Sequence, residues 1–160
     1  MTMDHVDQLL AQWAERRPDL DCSPMGVWGR MSRMAAMASR EIERPLKELG
    51  LSNTDFDVLA TLKRGGQPLT PTELYQSAML SSGAMTARLD KLEGRGLIHR
   101  APSEEDRRSL KVALTEEGTA LIDQAVAIHV ENERRLLAPL TEAEQQQLAA
   151  LMRRWLLARE

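Results

Sequence analysis

Between residues 4 and 15, Val6, Leu9, Leu10 and Trp13 recur at intervals of three and four, the spacing of one helical face. Pro18, in Arg16-Arg17-Pro18-Asp19, ends that segment because proline disfavours helical geometry at the residue before it. A longer stripe, Val27, Met31, Met34, Ala38, Ile42, Leu46 and Leu49, predicts a helix over residues 25–49, with a kink or break at Pro45. Ser52 followed by Asp55 reads as a capping box with Asp in place of Glu. The helix it opens has Phe56, Leu59 and Leu62 as its core face and stops at Gly65-Gly66. Thr70-Pro71-Thr72-Glu73 starts a short helix with proline at its first position. A brief turn then leads into a helix that opens on small residues and ends at Gly94 and Gly96.

The period changes after Gly96. Leu97-Ile98-His99-Arg100 and the alternating run from Leu110 to Leu114 flank a polar loop from Pro102 to Ser109, the pattern of a β-hairpin with a loose tip. A long helix is predicted over 115–137, and Thr141 with Glu144 caps a last one through Leu148, Leu151, Met152 and Trp155. The chain is therefore expected to be mainly α with a small β-hairpin wing. Residues 49–114 have the order of a winged helix-turn-helix. Residues 1–48 and 115–160 form a discontinuous helical region with more apolar face than one small domain needs, which suits a partner subunit.

Composition narrows the functional classes. Hydrophobic residues make up 42% of 160, enough for a core, while aromatics are only 3%, which favours helices over sheets. The net charge of −3 argues against indiscriminate coating of nucleic acid, so DNA contact has to come from a local basic surface. A lone cysteine, Cys22, cannot form an intrachain disulfide, and no apolar run approaches the ~20 residues of a membrane span. A cytoplasmic location follows as the expectation. His5, His99 and His129 are scattered without ligand spacing, and no CxxC, HExxH, phosphate loop or nucleophile elbow occurs. Neither an enzyme nor a metal or other cofactor is expected.

A recognition helix must bring its first turn close to bases and phosphates. Ser81, Ser82, Gly83 and Thr86 are small, three of them carry hydroxyl donors, and the free N–H groups of that helix end attract phosphate. Lys91 adds a cation on the same helix, and Arg107 and Arg108 at the hairpin tip can reach an adjacent minor groove. Arg88 differs. At 100° per residue with Met85 at zero, Leu89 falls at about +40°, Leu92 at about −20° and Arg88 at about −60°, on the border of the buried stripe. An arginine so directed leans inward and needs an acidic or anionic partner. Asp57, set within Phe56-Asp57-Val58-Leu59-Ala60, is one candidate.

The run Ser82-Gly83-x-x-Thr86-x-Arg88-Leu89-Asp90-x-Leu92-Glu93, then Gly96-Leu97-Ile98-x-Arg100, Asp106-Arg107-Arg108-Ser109 and Leu114-Thr115-x-x-Gly118, resembles the MarR family of bacterial transcriptional regulators. The likeness extends over nearly the whole chain. It implies a homodimer whose N- and C-terminal helices interlock and which binds a pseudopalindromic double-stranded DNA operator. Gln12-Trp13, Arg17-Pro18-Asp19-Leu20-Asp21, the run Phe56 to Leu62, and His129-Val130-Glu131-Asn132-Glu133-Arg134 look like the urate-responsive PecS/HucR-like branch of that family. Carried over residue by residue, the resemblance implies an effector site of Trp13, Asp57, Arg88 and Arg100 and a small anionic effector, urate or a related purine. It further implies a repressor that this effector releases from DNA. Trp28, a second tryptophan nearby, is expected to pack in the core.

Three alternatives stay open at this point. The effector is a phenolic or aromatic carboxylate; Cys22 senses oxidants, although Asp21 beside it disfavours a thiolate; or the protein binds DNA or other partners with no effector.

Overall fold

The computed structural model describes residues 2–77, 82–102 and 109–160. Among the described residues, seven helices and one hairpin follow in the order α1 (His5–Arg16), α2 (Ser23–Glu48), α3 (Asn53–Gly65), α4 (Pro71–Ser77), α5 (Ser82–Gly94), β1 (Ile98–Pro102), β2 (Leu110–Leu114), α6 (Glu116–Leu137) and α7 (Glu142–Leu157). The chain divides into two compact units, Met1–Glu41 and Ile42–Glu160.

In the first unit, Asp4 caps α1 and forms a reciprocal capping box with Asp7. Arg30 of α2 binds both carboxylates, at 2.8 Å to Asp4 and 2.6 Å to Asp7. Val6 is buried against Gly29, where a side chain would sit only 3.3 Å from the valine methyl. The first half of the α2 stripe is not a core: Val27, Met31 and Met34 are exposed, and Leu46 is the first fully buried member. Trp28, expected in the core, is half exposed. Its helix turn has only α1 to pack on within its unit, so that expectation is corrected. The expected break at Pro45 is also absent, since α2 runs on to Glu48. Proline there removes the one backbone bond that residue 45 would donate back along the helix, and only three helical residues follow it.

The second unit holds a core of Leu51, Leu59, Leu74, Leu89, Ile98 and Ile122 with their neighbours, drawn from α3, α4, α5, the hairpin and α6. Ser52 and Asp55 form the expected capping box on α3, and Gly66 ends it in the left-handed region at φ +65°. β1 and β2 pair antiparallel with Ile98 opposite Leu114 and Pro102 opposite Leu110. Leu69 adds a bridge to Val112, exchanging backbone bonds of 3.0 and 2.7 Å. Thr115 caps α6 and also donates to the Gly96 carbonyl at 2.7 Å, so one side chain ties the end of the α5 segment to the helix after the wing.

Candidate nucleic-acid interface and effector residues

α5 is built with two charged faces. Arg88, Lys91 and Arg95 are spaced i, i+3, i+7 and form one stripe. Arg88 Nη1 donates to Asp55 Oδ1 at 2.9 Å, Lys91 Nζ donates to Asp55 Oδ2 at 3.0 Å, and Arg95 Nη1 donates to the Gly50 carbonyl at 2.7 Å. The stripe therefore lies along the start of α3. On another face, Asp90 and Glu93 accept from Arg100 of β1, at 2.7 Å and 2.8 Å, so the wing is bonded to the helix it follows. Met85, Leu89 and Leu92 are buried, and Thr86, Ala87 and Asp90 are exposed, as the helical wheel requires.

Asp55 is completely buried. Its carboxylate accepts three bonds, from the Ser52 amide at 3.0 Å and from the two α5 cations. Burial pushes its pKa up, but the Ser52 amide, Lys91, the Ser52 hydroxyl and Arg88 together outweigh burial and hold it below the ordinary value. Arg88 does turn inward, yet its partner is Asp55 and not Asp57. Arg88 Nη1 lies 3.4 Å from Ser52 Oγ, and its buried Nε has no hydrogen-bond partner among the described residues.

Asp57 lies on the exposed side of α3, where desolvation by nearby protein raises its carboxyl pKa while the charges of Arg64 and His129 pull it down. Arg100 already bonds two carboxylates, and Glu93 and Asp90 keep it charged. Trp13, 43% exposed, lines an open cavity of about 280 Å³ together with Leu9, Leu10, Met25 and Trp28. Among the described residues, no lysine or arginine lines that cavity. Cys22 is buried.

Of the residues expected on DNA, Thr86 is exposed on α5, and Lys91 is half exposed while bonded to Asp55. Ser81, Arg107 and Arg108 lie outside the described residues, as does the side chain of Ser82, and of Gly83 only the helical backbone is described. Sequence reasoning missed Asp55 as anything beyond a cap. The signal was available: Asp55, Leu59 and Leu62 are spaced i, i+4, i+7, which puts the carboxylate on the core stripe, and Asp57 is turned some 200° away.

Comparison with known proteins completes the picture. The model of the MarR family matches residues 51–110. The transcriptional regulator PecS of Dickeya dadantii is 42% identical over 151 residues, covering 93% of this chain and 91% of the relative. YkoM, an uncharacterised regulator of Bacillus subtilis, is 32% identical over 81% of this chain and 84% of its own. Among solved structures, a cysteine-to-serine variant of Escherichia coli MarR in complex with operator DNA superposes with a TM-score of 0.72 at 25% identity, covering 96% of this chain and 99% of that one. Wild-type apo MarR from the same organism gives 0.69 at 28% identity, over 80% and 96%. The relatives are regulators and not enzymes, and no described helix is long and apolar enough to cross a membrane. With the winged helix-turn-helix, the recognition-helix geometry and these relatives in hand, the chain belongs to the MarR family of DNA-binding transcriptional regulators.

Proposed function

We propose that this chain is a cytoplasmic, homodimeric repressor that binds a pseudopalindromic operator and leaves it when urate or a related purine binds. The observation that carries the effector half is the inward Arg88, a cation of the recognition helix whose buried Nε has no hydrogen-bond partner among the described residues. A small anion that competes with Asp55 for that guanidinium has direct leverage on α5. Planar donors of arginine suit the oxygens of a flat purine anion, and Trp13 offers a stacking wall. Ser81, Ser82, Gly83 and Thr86 serve as the reading edge on DNA, with Arg107 and Arg108 at the wing. Such a ligand regulates only by binding the two shapes of the protein with different affinity.

The test is operator binding under urate titration. Millimolar urate is expected to release the parent protein, and Arg88→Ala is expected to weaken that response more than it weakens operator affinity. Retained operator binding at millimolar urate rejects the effector and leaves the DNA-binding function untouched. A second reading is favoured by the Trp13 cavity, whose lining among the described residues has no cation: a neutral phenolic or other aromatic effector. A thermal-shift panel of urate, xanthine and salicylate together with a neutral phenol separates the two.

A further inference from the structure

Asp90 and Glu93 stand i, i+3 near the C-terminal end of α5. Two carboxylates there face the negative end of the helix dipole and each other, and they lie on the element that meets a polyanion. Such a breach of the local rules calls for a compensating partner. Arg100 is that partner. In β1, Ile98 and Arg100 share one face; Ile98 enters the core, and Arg100, next along the row, reaches α5. Its Nε donates to Glu93 at 2.8 Å, its Nη2 to Asp90 at 2.7 Å, and its backbone amide to the other Glu93 oxygen at 3.0 Å. The planar fork of an arginine suits two carboxylates at once. Arg100 pairs in register with Val112, whose backbone bridges Leu69 on the other edge of β2. One rung of the hairpin is therefore held from both sides. Two further pairs, Ala101 with Lys111 and Pro102 with Leu110, lead from it towards the tip.

We propose that Arg100 is a positioning residue for the wing. Through Glu93 and Asp90 it sets where the hairpin lies on the recognition helix, and it makes no contact with DNA itself. Arg107 and Arg108, expected on DNA from the sequence, are the wing residues through which it acts. The inference rests on that proposed wing contact and not on any effector.

Operator affinity of the full chain is read by fluorescence anisotropy. Arg100→Gln removes a positive charge and Glu93→Gln a negative one, so a purely electrostatic influence on DNA moves affinity in opposite directions. Lost positioning lowers it in both, by about fivefold or more each. Asp90→Asn, at an exposed carboxylate, also removes a negative charge and is expected to lower affinity about threefold or more; this arm stands if either of the others fails to fold. The substitutions are then repeated in Arg107→Ala/Arg108→Ala. There each should change affinity by no more than about twofold, because a residue that acts only through the wing has nothing left to act on. A Glu93→Gln or Asp90→Asn protein that binds operator as tightly as the parent, or more tightly, overturns the proposal. Losses that persist in full without the tip arginines also overturn it, since Arg100 then acts on DNA directly or through the fold at large. A tip variant that by itself binds like the parent rejects the wing contact, and the proposal with it, by a pattern distinct from the other two.

Discussion

A carboxylate removed from water stays ionised only where protein donors replace the solvent, and Asp55 has three. Its pKa lies below the ordinary value in the folded chain, so the folded state holds fewer protons on this group than the unfolded one. The stabilisation is therefore complete above the unfolded value of about 3.9 and is lost as pH falls through the lowered folded pKa. In urea titrations, Asp55→Asn is expected to be less stable than the parent near pH 7, by about 1–3 kcal/mol as for an impaired buried ionic network, with the gap closing in acid. A gap that widens in acid would contradict the assignment. Asp57 runs the other way. Desolvation raises its pKa, so its charge costs stability as pH rises from about 3.9 through the raised folded value. Asp57→Asn should match or exceed the parent's urea midpoint near neutral pH and lose that advantage in acid. The two aspartates sit two residues apart, and their opposite signs follow from the face each one occupies.

At the scale of elements, a recurring device links helices: a capping carboxylate that also binds a cation from another helix. Asp4 and Asp7 take Arg30 of α2 at the start of α1, and Asp55 takes Arg88 and Lys91 of α5 at the start of α3. The caps themselves were legible in the sequence, because Ser52 with Asp55 and Thr141 with Glu144 stand at the required spacing before apolar periodic runs. So was the inward direction of Arg88, which needs only 100° per residue. Its partner was not, because which element faces that stripe is a tertiary fact, and Asp57 drew attention by interrupting an apolar run. The exposure of Trp28 was hidden for a similar reason: periodicity marks an apolar face without saying whether this chain covers it. The junction of wing and α6 gives a sharper test. Gly118 is buried in the first turn of α6, where an added Cβ would overlap the Leu97 carbonyl. That carbonyl accepts from the Thr115 amide at 3.1 Å, so it cannot move away without breaking the cap junction. Gly118→Ala should destabilise the protein by about 1–3 kcal/mol or more through overpacking, read as a lowered melting temperature. A melting temperature equal to the parent's would mean that β1 yields freely.

Over the whole molecule, charge and apolar surface make separate demands. The net charge of −3 leaves DNA binding to local groups, and the α5 cations Arg88 and Lys91, like Arg95 just after the helix, each have an internal partner. Among the described residues a single copy thus brings few free cations from the recognition helix, and in the proposed homodimer two copies on neighbouring half-sites would double what each one provides. The apolar surface points to the same assembly. Val27, Met31, Met34 and Met37 of α2, and Leu151, Met152, Trp155, Leu156 and Leu157 of α7, are exposed in one chain, more large apolar side chains than an ordinary monomer leaves in water. A second copy is the proposed cover. Replacing Met34 and Leu151 together by Glu places charges on both faces without touching the winged helix-turn-helix core. Sedimentation should then show a monomer at concentrations where the parent, on this proposal, is a dimer. Operator affinity should fall by about 100-fold or more, because joining two half-site contacts makes the second one effectively intramolecular. A double variant that remains dimeric places the interface on other faces. One that is monomeric yet binds operator as tightly as the parent shows that a single winged helix carries recognition alone.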